Sequence, residues 1–358
     1  MRKLASVQKI EWVRPIEGKD RIALFGILGW SVICQKTIGE VGDNVVYCEI
    51  DSVLPEKEEF EFLRSKKFHI KTMKMSGVIS QGICFPMSIL PERKQGYKVG
   101  DDVTDIIGVT EFTEVMDDPV APGQKSTKKK NPLMRFALYR RLFGNKYQKD
   151  SFPSEYLSKT DETRIQSTPW LLEDKKDKWI ATEKVDGTSG TFLLVKKHKL
   201  FKRTAYEYMV CSRNRRLPVN DGSVYWQVSD KYMIKEKLMN MIGDREWIAI
   251  QGECIAPKVQ KNKYGVSEPH MYVFNLLTPK GRWGSVAARD YLGTRGFDFV
   301  PIVDEDFKLP DTVDEMITLA HGKSMLADTL REGLVVRSCE GTKSFKAVDP
   351  EFLLKWSE

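Results

Sequence analysis

A chain of 358 residues with 41% hydrophobic and 10% aromatic residues is long enough to bury the cores of two domains. A net charge of +7 and a pI of 8.9 favour an anionic partner, nucleic acid before others. No apolar run approaches the ~20 residues of a membrane span, and the first residues lack the apolar core of a signal peptide. A membrane protein is therefore excluded at this stage, and a cytoplasmic or otherwise intracellular protein is expected.

The six cysteines are Cys34, Cys48, Cys84, Cys211, Cys254 and Cys339. None forms a Cys-x-x-Cys pair or stands near a histidine at zinc spacing, so they read as small apolar residues in a reducing compartment.

Residues 1–112 read as mostly β. One apolar and aromatic run covers Ala23–Cys34 and another covers Asn44–Ile50. Glycine turns follow at Gly39–Asp43 and Val99–Asp102, a spacing that suits a small barrel. The stretches 42–55 and 70–82 resemble OB-fold modules of the tRNA-binding type, and another small Greek-key barrel fits the same pattern.

Residues 113–150 read as a linker, with prolines at 119, 122 and 132. From Val120 to Lys149 there are nine Lys or Arg and no Asp or Glu. A short amphipathic helix is expected near Leu133–Phe143. The segment is either a solvated basic linker or an electrostatic tether for a nucleic-acid backbone.

Residues 151–358 mix α and β. Strands are expected at Trp179–Lys184, Gly190–Val195, Trp247–Gln251, Met271–Leu276, Gly333–Arg337 and Ser344–Ala347. Helices are expected around Ser229–Ile242 and Thr312–His321, the second closed by Gly322. His321-Gly322-Lys323-Ser324 mimics the tail of a phosphate-binding loop, but Ile317 stands where its first glycine is required. There is no Gly-x-Gly-x-x-Gly, and the four histidines are scattered.

Another device for handling a nucleotide begins at Lys184-Val185-Asp186-Gly187. Alone, this tetrapeptide is a strand end with an Asp-Gly turn. In order after it come Ser212-Arg213-Asn214, Gly252-Glu253, Tyr272-Val273-Phe274, Glu332-Gly333 and Ser344-Phe345-Lys346. The ordered set resembles the covalent nucleotidyltransferase superfamily of DNA ligases, RNA ligases and RNA capping enzymes, over roughly residues 150–350. Lys184 to Gly187 is similar to its motif I, Arg213 lies in motif Ia, Glu253 in III, Phe274 in IIIa, Glu332 in IV and Lys346 in V.

The resemblance implies that the Lys184 amine takes AMP from ATP as a phosphoramidate. A free lysine has a pKa near ~10.4, so neighbouring positive charge, from basic side chains or a metal, is expected to favour its neutral form. Lys346 and Arg213 are the expected catalytic cations on the triphosphate. Asp186, Glu253 and Glu332 are the expected oxygen donors for Mg²⁺ or Mn²⁺. Phe274 is expected to stack on the purine, with Tyr272 as fallback, and Glu183 to accept the adenine amino group. Gly187, Lys184, Arg213, Glu253, Glu332 and Lys346 complete the expected nucleotide site. Several RNA ligases carry two lysines one residue apart in motif V; here Ser344 stands at the first position, and Lys343 or Lys355 is a possible substitute.

In DNA ligases and capping enzymes an OB domain follows motif V, whereas only twelve residues follow Lys346 here. The layout resembles ATP-dependent RNA ligases with an N-terminal OB domain. The segment Lys159–Gln166 also looks ligase-like. The expected fold class is α+β: an OB-like β-barrel at 1–112, a basic linker at 113–150, and a mixed α/β, ATP-grasp-like nucleotidyltransferase domain at 151–358. The expected function is ATP-dependent joining of RNA 5′-phosphate and 3′-OH ends in RNA repair, through lysyl-AMP and adenylated RNA, by a monomer. The alternatives are another covalent nucleotidyltransferase, either a DNA ligase or a capping guanylyltransferase, and a non-catalytic OB-fold RNA-binding protein.

Overall fold

The computed structural model describes residues 3–92, 96–112, 151–198 and 204–356. The expected linker and its helix at Leu133–Phe143 lie outside the described residues.

Strand β1 (Ala5–Pro15) shapes the front of the chain. Its first half pairs with β4 (Asn44–Cys48) and its second half with β2 (Ile22–Ile27), both antiparallel. A register shift between Ile10 and Trp12 marks the bend between the two halves. The expected single run Ala23–Cys34 is a hairpin instead, β2 turning at Leu28–Gly29 into β3 (Trp30–Gln35). Both strands are apolar enough to hide the turn from a hydrophobicity reading, but Leu28 has a φ of 53°, as a tight turn requires.

The short strands β5 (Ser52–Val53), β6 (His69–Ile70), β7 (Met73–Met75) and β8 (Val78–Ser80) precede β9 (Ile83–Pro86), and β10 (Thr110–Glu111) closes this part. The main sheet runs β3–β2–β1–β4–β9. The barrel expected from the sequence is a curled half-barrel, with β3 and β9 as its edges. The segments that would have closed it form separate sheets, β10–β5–β6 and β7–β8. Helix α1 (Thr104–Ile107) lies against β1, and Ile10, Phe25, Trp30 and Tyr47 fill the core.

The rest of the chain builds two sheets. One runs β18–β11–β19–β20, from β11 (Trp179–Glu183), β18 (Ile302–Phe307), β19 (Gly333–Ser338) and β20 (Ser344–Val348). The other runs β13–β12–β14–β15–β16, with β17 (Asp298–Phe299) parallel to β15. Its members are β12 (Thr188–His198), β13 (Thr204–Cys211), β14 (Trp247–Ile255), β15 (His270–Thr278) and β16 (Gly281–Arg282). Each expected strand is present. Strand β14 runs on past Gln251 because a bulge at Gln251/Gly252 keeps it paired with β15. Strands β13 and β18 were not anticipated. Both are edge strands, and β18 exposes Asp304, Glu305 and Asp306, which breaks the expected alternation.

The helix expected at Ser229–Ile242 is two helices, α2 (Val224–Lys231) and α3 (Ile234–Ile242), parted by Met233 at a φ of 49°. They cover β12 and β14 through Val228, Ile234, Leu238 and Met241. Helix α4 (Ser285–Gly293) covers β15. Helix α5 (Val313–Ala320) starts where expected, at a Thr312–Glu315 capping box, and packs on β20. Helix α6 (Pro350–Trp356) follows β20, and its Leu353 packs against the front core. Among the described residues no helix is long and apolar enough to cross a membrane.

The front and back parts meet along residues 164–167. Gly29 N donates to Gln166 O (2.9 Å), Ser167 Oγ to Glu49 Oε1 (2.6 Å) and Arg164 Nη2 to Asp51 Oδ2 (2.6 Å). A Cβ on Gly29 would stand 2.8 Å from the Gln166 Cα, so only glycine permits this approach.

Candidate active site

Residues 184–187 leave the first back sheet at the end of β11 and enter the second at the start of β12. They therefore cross the floor of a cleft of about 1110 Å³ between the two sheets. Asp51, His69 and Phe112 of the front part line the same cleft. Gly187 has no room for a side chain there: a Cβ would lie 2.5 Å from Cys254 O.

Lys184 Nζ donates to Glu332 Oε2 (2.6 Å), and Gly187 N donates to Glu253 Oε1 (3.1 Å). Glu332 is delivered just before β19 and Glu253 from β14, so both sheets feed the lysine. Burial pulls the Lys184 pKa down, but Glu332, Glu253 and Asp186 outweigh it and hold the amine above the usual lysine range. Its immediate contacts are therefore the carboxylates expected to hold a metal, rather than basic side chains. Burial also pushes Glu253 up to about 8 and Asp186 up to about 6. Asp186 is in turn paired with Lys263.

Lys346 lies on β20, next to β19 in the same sheet as β11. Its Nζ donates to Asp161 Oδ1 (2.8 Å), and Arg213 Nη2 sits 3.3 Å from Asp161 Oδ2. Burial is the chief reason that the Lys346 ammonium is pulled down to about 8; Asp161 opposes this, and Arg164 and Lys184 add to it. Arg164 is 7% exposed and lines the cleft, yet its Nε and Nη1 have no hydrogen-bond partner among the described residues. Such a guanidinium is a ready donor for an anion.

Phe274 lines the cleft and Tyr272 does not, so the first of the two expected stacking residues is the one in position. Arg337 Nη1 donates to Phe274 O (2.9 Å), while its Nε and Nη2 both reach Glu162 Oε1. Glu162 also receives Ser344 Oγ and faces Arg282 Nη1 at 3.5 Å. Ser344, at the first motif V position, is thus part of a buried carboxylate–guanidinium cluster. Lys343 pairs with Asp174 and Asp177, and neither it nor Lys355 lines the cleft. Glu183 is 1% exposed, and its oxygens already accept from Ser324 Oγ (2.5 Å) and Met325 N (2.8 Å). An adenine amino group would compete with those donors for it.

The structure thus brings Lys184, Asp186, Glu253, Glu332, Phe274, Arg213 and Lys346 to one cleft. The sequence reading marked segment 159–166 without separating Asp161, Glu162 and Arg164. It missed Lys263, Tyr264, Arg282 and Arg337. Only Arg337 had a local signal, as the last residue of the run that starts at Glu332.

Residues 177–356 match the RNA ligase family, and residues 4–87 match an OB-fold domain. The chain belongs to the RNA ligase family. As an RNA ligase it binds an RNA substrate. The ligase also resembles solved structures of Naegleria gruberi RNA ligase. A mutant of that protein with ATP and Mn superposes with a TM-score of 0.82 at 26% identity, over 100% of both chains. The same protein with PPi gives 0.79 at 27% identity, over 100% of this chain and 99% of that one. A further mutant, with AMP and Mn, gives 0.79 at 27%, over 99% of both. No curated protein matches.

Proposed function

We propose that the ligase joins RNA 5′-phosphate and 3′-OH ends in three nucleotidyl steps, with ATP as AMP donor, in RNA repair. The observation that carries the reading is Lys184, held on the crossover between two sheets beside Glu332 and Glu253, with Lys346, Arg213 and Arg164 lining the same cleft. The cations suit a polyanion, and the carboxylates beside the lysine suit removal of its ammonium proton before attack. The likeness to a ligase solved with ATP, AMP and PPi supports the same donor.

In the first step the Lys184 ammonium gives a proton to Glu332, to which it already donates, its neutral Nζ bonds to the α-phosphorus, the α–β anhydride breaks and pyrophosphate leaves. In the second, an RNA 5′-phosphate oxygen attacks the same phosphorus, the P–N bond breaks and the lysine takes a proton back. In the third, the RNA 3′-OH attacks the activated 5′-phosphorus, its proton passes to water or a carboxylate, and AMP leaves. Lys346, Arg213 and Arg164 hold the phosphate charge, and Phe274 offers its ring to the purine. Gly187 lets the backbone approach closely, and Glu183 braces the 324–325 turn beside the nucleotide.

The cleft fits a hard divalent cation such as Mg²⁺ or Mn²⁺, because its donors beside Lys184 are carboxylate oxygens. Among the described residues no three Asp, Glu, His or Cys converge into a ready cage. Asp186, Glu253 and Glu332 would hold the ion together with phosphate and water oxygens. Bound there, it supplies positive charge against the phosphate oxygens.

The test is incubation with α-labelled ATP and Mn²⁺ or Mg²⁺. A covalent adduct is expected from the wild type and none from Lys184→Ala. No wild-type adduct, or an adduct that survives the substitution, overturns the reading.

A further inference from the structure

Lys263 is the cation least explained by the reaction. It sits in the loop between β14 and β15, and its side chain is only 7% exposed. Its ammonium pairs with the carboxylate of Asp186, the motif I residue that the proposed function gives to the divalent ion. The next residue holds the same target: Asp186 N donates to Tyr264 Oη (2.8 Å).

The loop is built to make this reach. Gln260, Lys261 and Asn262 are three successive residues with left-handed φ values of 46°, 57° and 49°. Side-chain-bearing residues adopt that conformation at a cost, so the surrounding contacts must maintain it. Asn262 ties the loop to itself through two bonds with the Val266 backbone, each 2.9 Å. The ammonium also has a second seat. It lies 4.7 Å from the Phe352 ring and 5.5 Å from the Trp356 ring, both on α6. A lysine that left Asp186 would keep cation–π contact there.

We propose that Lys263 is a tethered place-holder cation, which occupies Asp186 in the free enzyme and gives it up to the divalent ion. The inference rests on the reading of Asp186 as an oxygen donor to that ion. Two positive groups on one buried carboxylate repel each other at short range, so ion and ammonium exclude one another. While the ion is away, Lys263 compensates an Asp186 carboxylate that would otherwise share Lys184 with Glu332. The loop between β14 and β15 then senses whether the cleft is loaded, because Lys263 and Tyr264 move with it.

A purely positioning role makes the opposite prediction. If Lys263 only orients Asp186, its loss weakens ion binding; if it competes, its loss strengthens ion binding. The experiment is titration of the nucleotide-free full chain with Mn²⁺ at neutral pH, read by electron paramagnetic resonance. Lys263→Met and Lys263→Gln should each bind Mn²⁺ at least about tenfold tighter than the wild type, the least that an adjacent opposite charge changes a carboxylate's cation affinity. Lys263→Arg should bind no tighter than the wild type. Melting curves of each variant establish that it folds, and two different neutral side chains guard against one failing to do so. Unchanged or weaker binding in the folded neutral variants overturns the place-holder. Wild-type binding that Asp186→Asn leaves intact overturns instead the metal reading beneath it, which keeps the two failures apart.

Discussion

Lys184 Nζ donates to Glu332 Oε2 across 2.6 Å, joining the residue after β11 to the residue before β19. The pair ties the nucleophile to the strand whose neighbour, β20, carries Lys346. A single substitution therefore acts on both reactivity and fold. Lys184→Met should form no adduct. It should also lose on the order of 3 kcal/mol of stability in metal-free buffer, because Glu332, its side chain only 12% exposed, is left without its ammonium. Denaturant unfolding measures the loss, and added Mn²⁺ should return much of it. A variant as stable as the wild type without metal would show that the pair is not structural.

The alkaline limit of the reaction should belong to Lys346. Burial pulls this ammonium down to about 8, so it is charged below that pH and neutral above it. A step that needs its charge on the triphosphate loses rate as pH rises through about 8. The kcat/KM for adduct formation should stop rising with pH there in the wild type, because further deprotonation of Lys184 is offset by loss of the Lys346 charge. In Lys346→Arg the break should move to higher pH, because a guanidinium stays charged. A break at the same pH in both proteins would assign it to another group.

Glu162 should matter more to the fold than its place before β11 suggests. It accepts from Arg337 Nε and Nη2, receives Ser344 Oγ and faces Arg282. Glu162→Ala strands the buried Arg337 and half-releases Arg282. The expected cost is about 3 kcal/mol or more, read by chemical denaturation. A loss within the range of a surface substitution would mean that Arg337 finds water or another acceptor.

Local patterns carried the legible part of the site. Lys184, Asp186 and Gly187 stand together in sequence; Glu253, Phe274 and Lys346 lie on strands, and Glu332 just before one, whose apolar runs were visible. Pairings between distant residues left no such trace. Glu162 and Arg337 are 175 positions apart, and Lys263 reaches Asp186 from a loop with nothing to distinguish it from any lysine-rich turn. That Glu332 touches Lys184 directly was hidden for the same reason, because the two are 148 positions apart and meet only in the folded chain. In the fold, the turn inside Ala23–Cys34 and the break at Met233 were hidden because apolar residues continue through both. The open half-barrel depends on where β5 to β8 pair, which hydrophobicity does not encode.

Arg164 separates stability from function most cleanly. It is 7% exposed; its Nη2 donates to Asp51, and its other two nitrogens have no hydrogen-bond partner among the described residues. Removing the guanidinium loses the Asp51 bond but also relieves the desolvation of the unpaired nitrogens, and these effects oppose each other. Arg164→Met keeps most of the stem and should melt close to the wild type. Its nucleotide site, however, loses a cation beside Lys346 that is already poised for an anion. The KM for ATP in adduct formation should rise at least about tenfold, the lower bound for a charge-assisted hydrogen bond to phosphate. Such a bond matters most where water is scarce, and this side chain is among the most buried charges lining the cleft. An unchanged KM with a large drop in melting temperature would instead make Arg164 a clasp between the OB-fold part and the catalytic part, with Asp51 as its whole purpose.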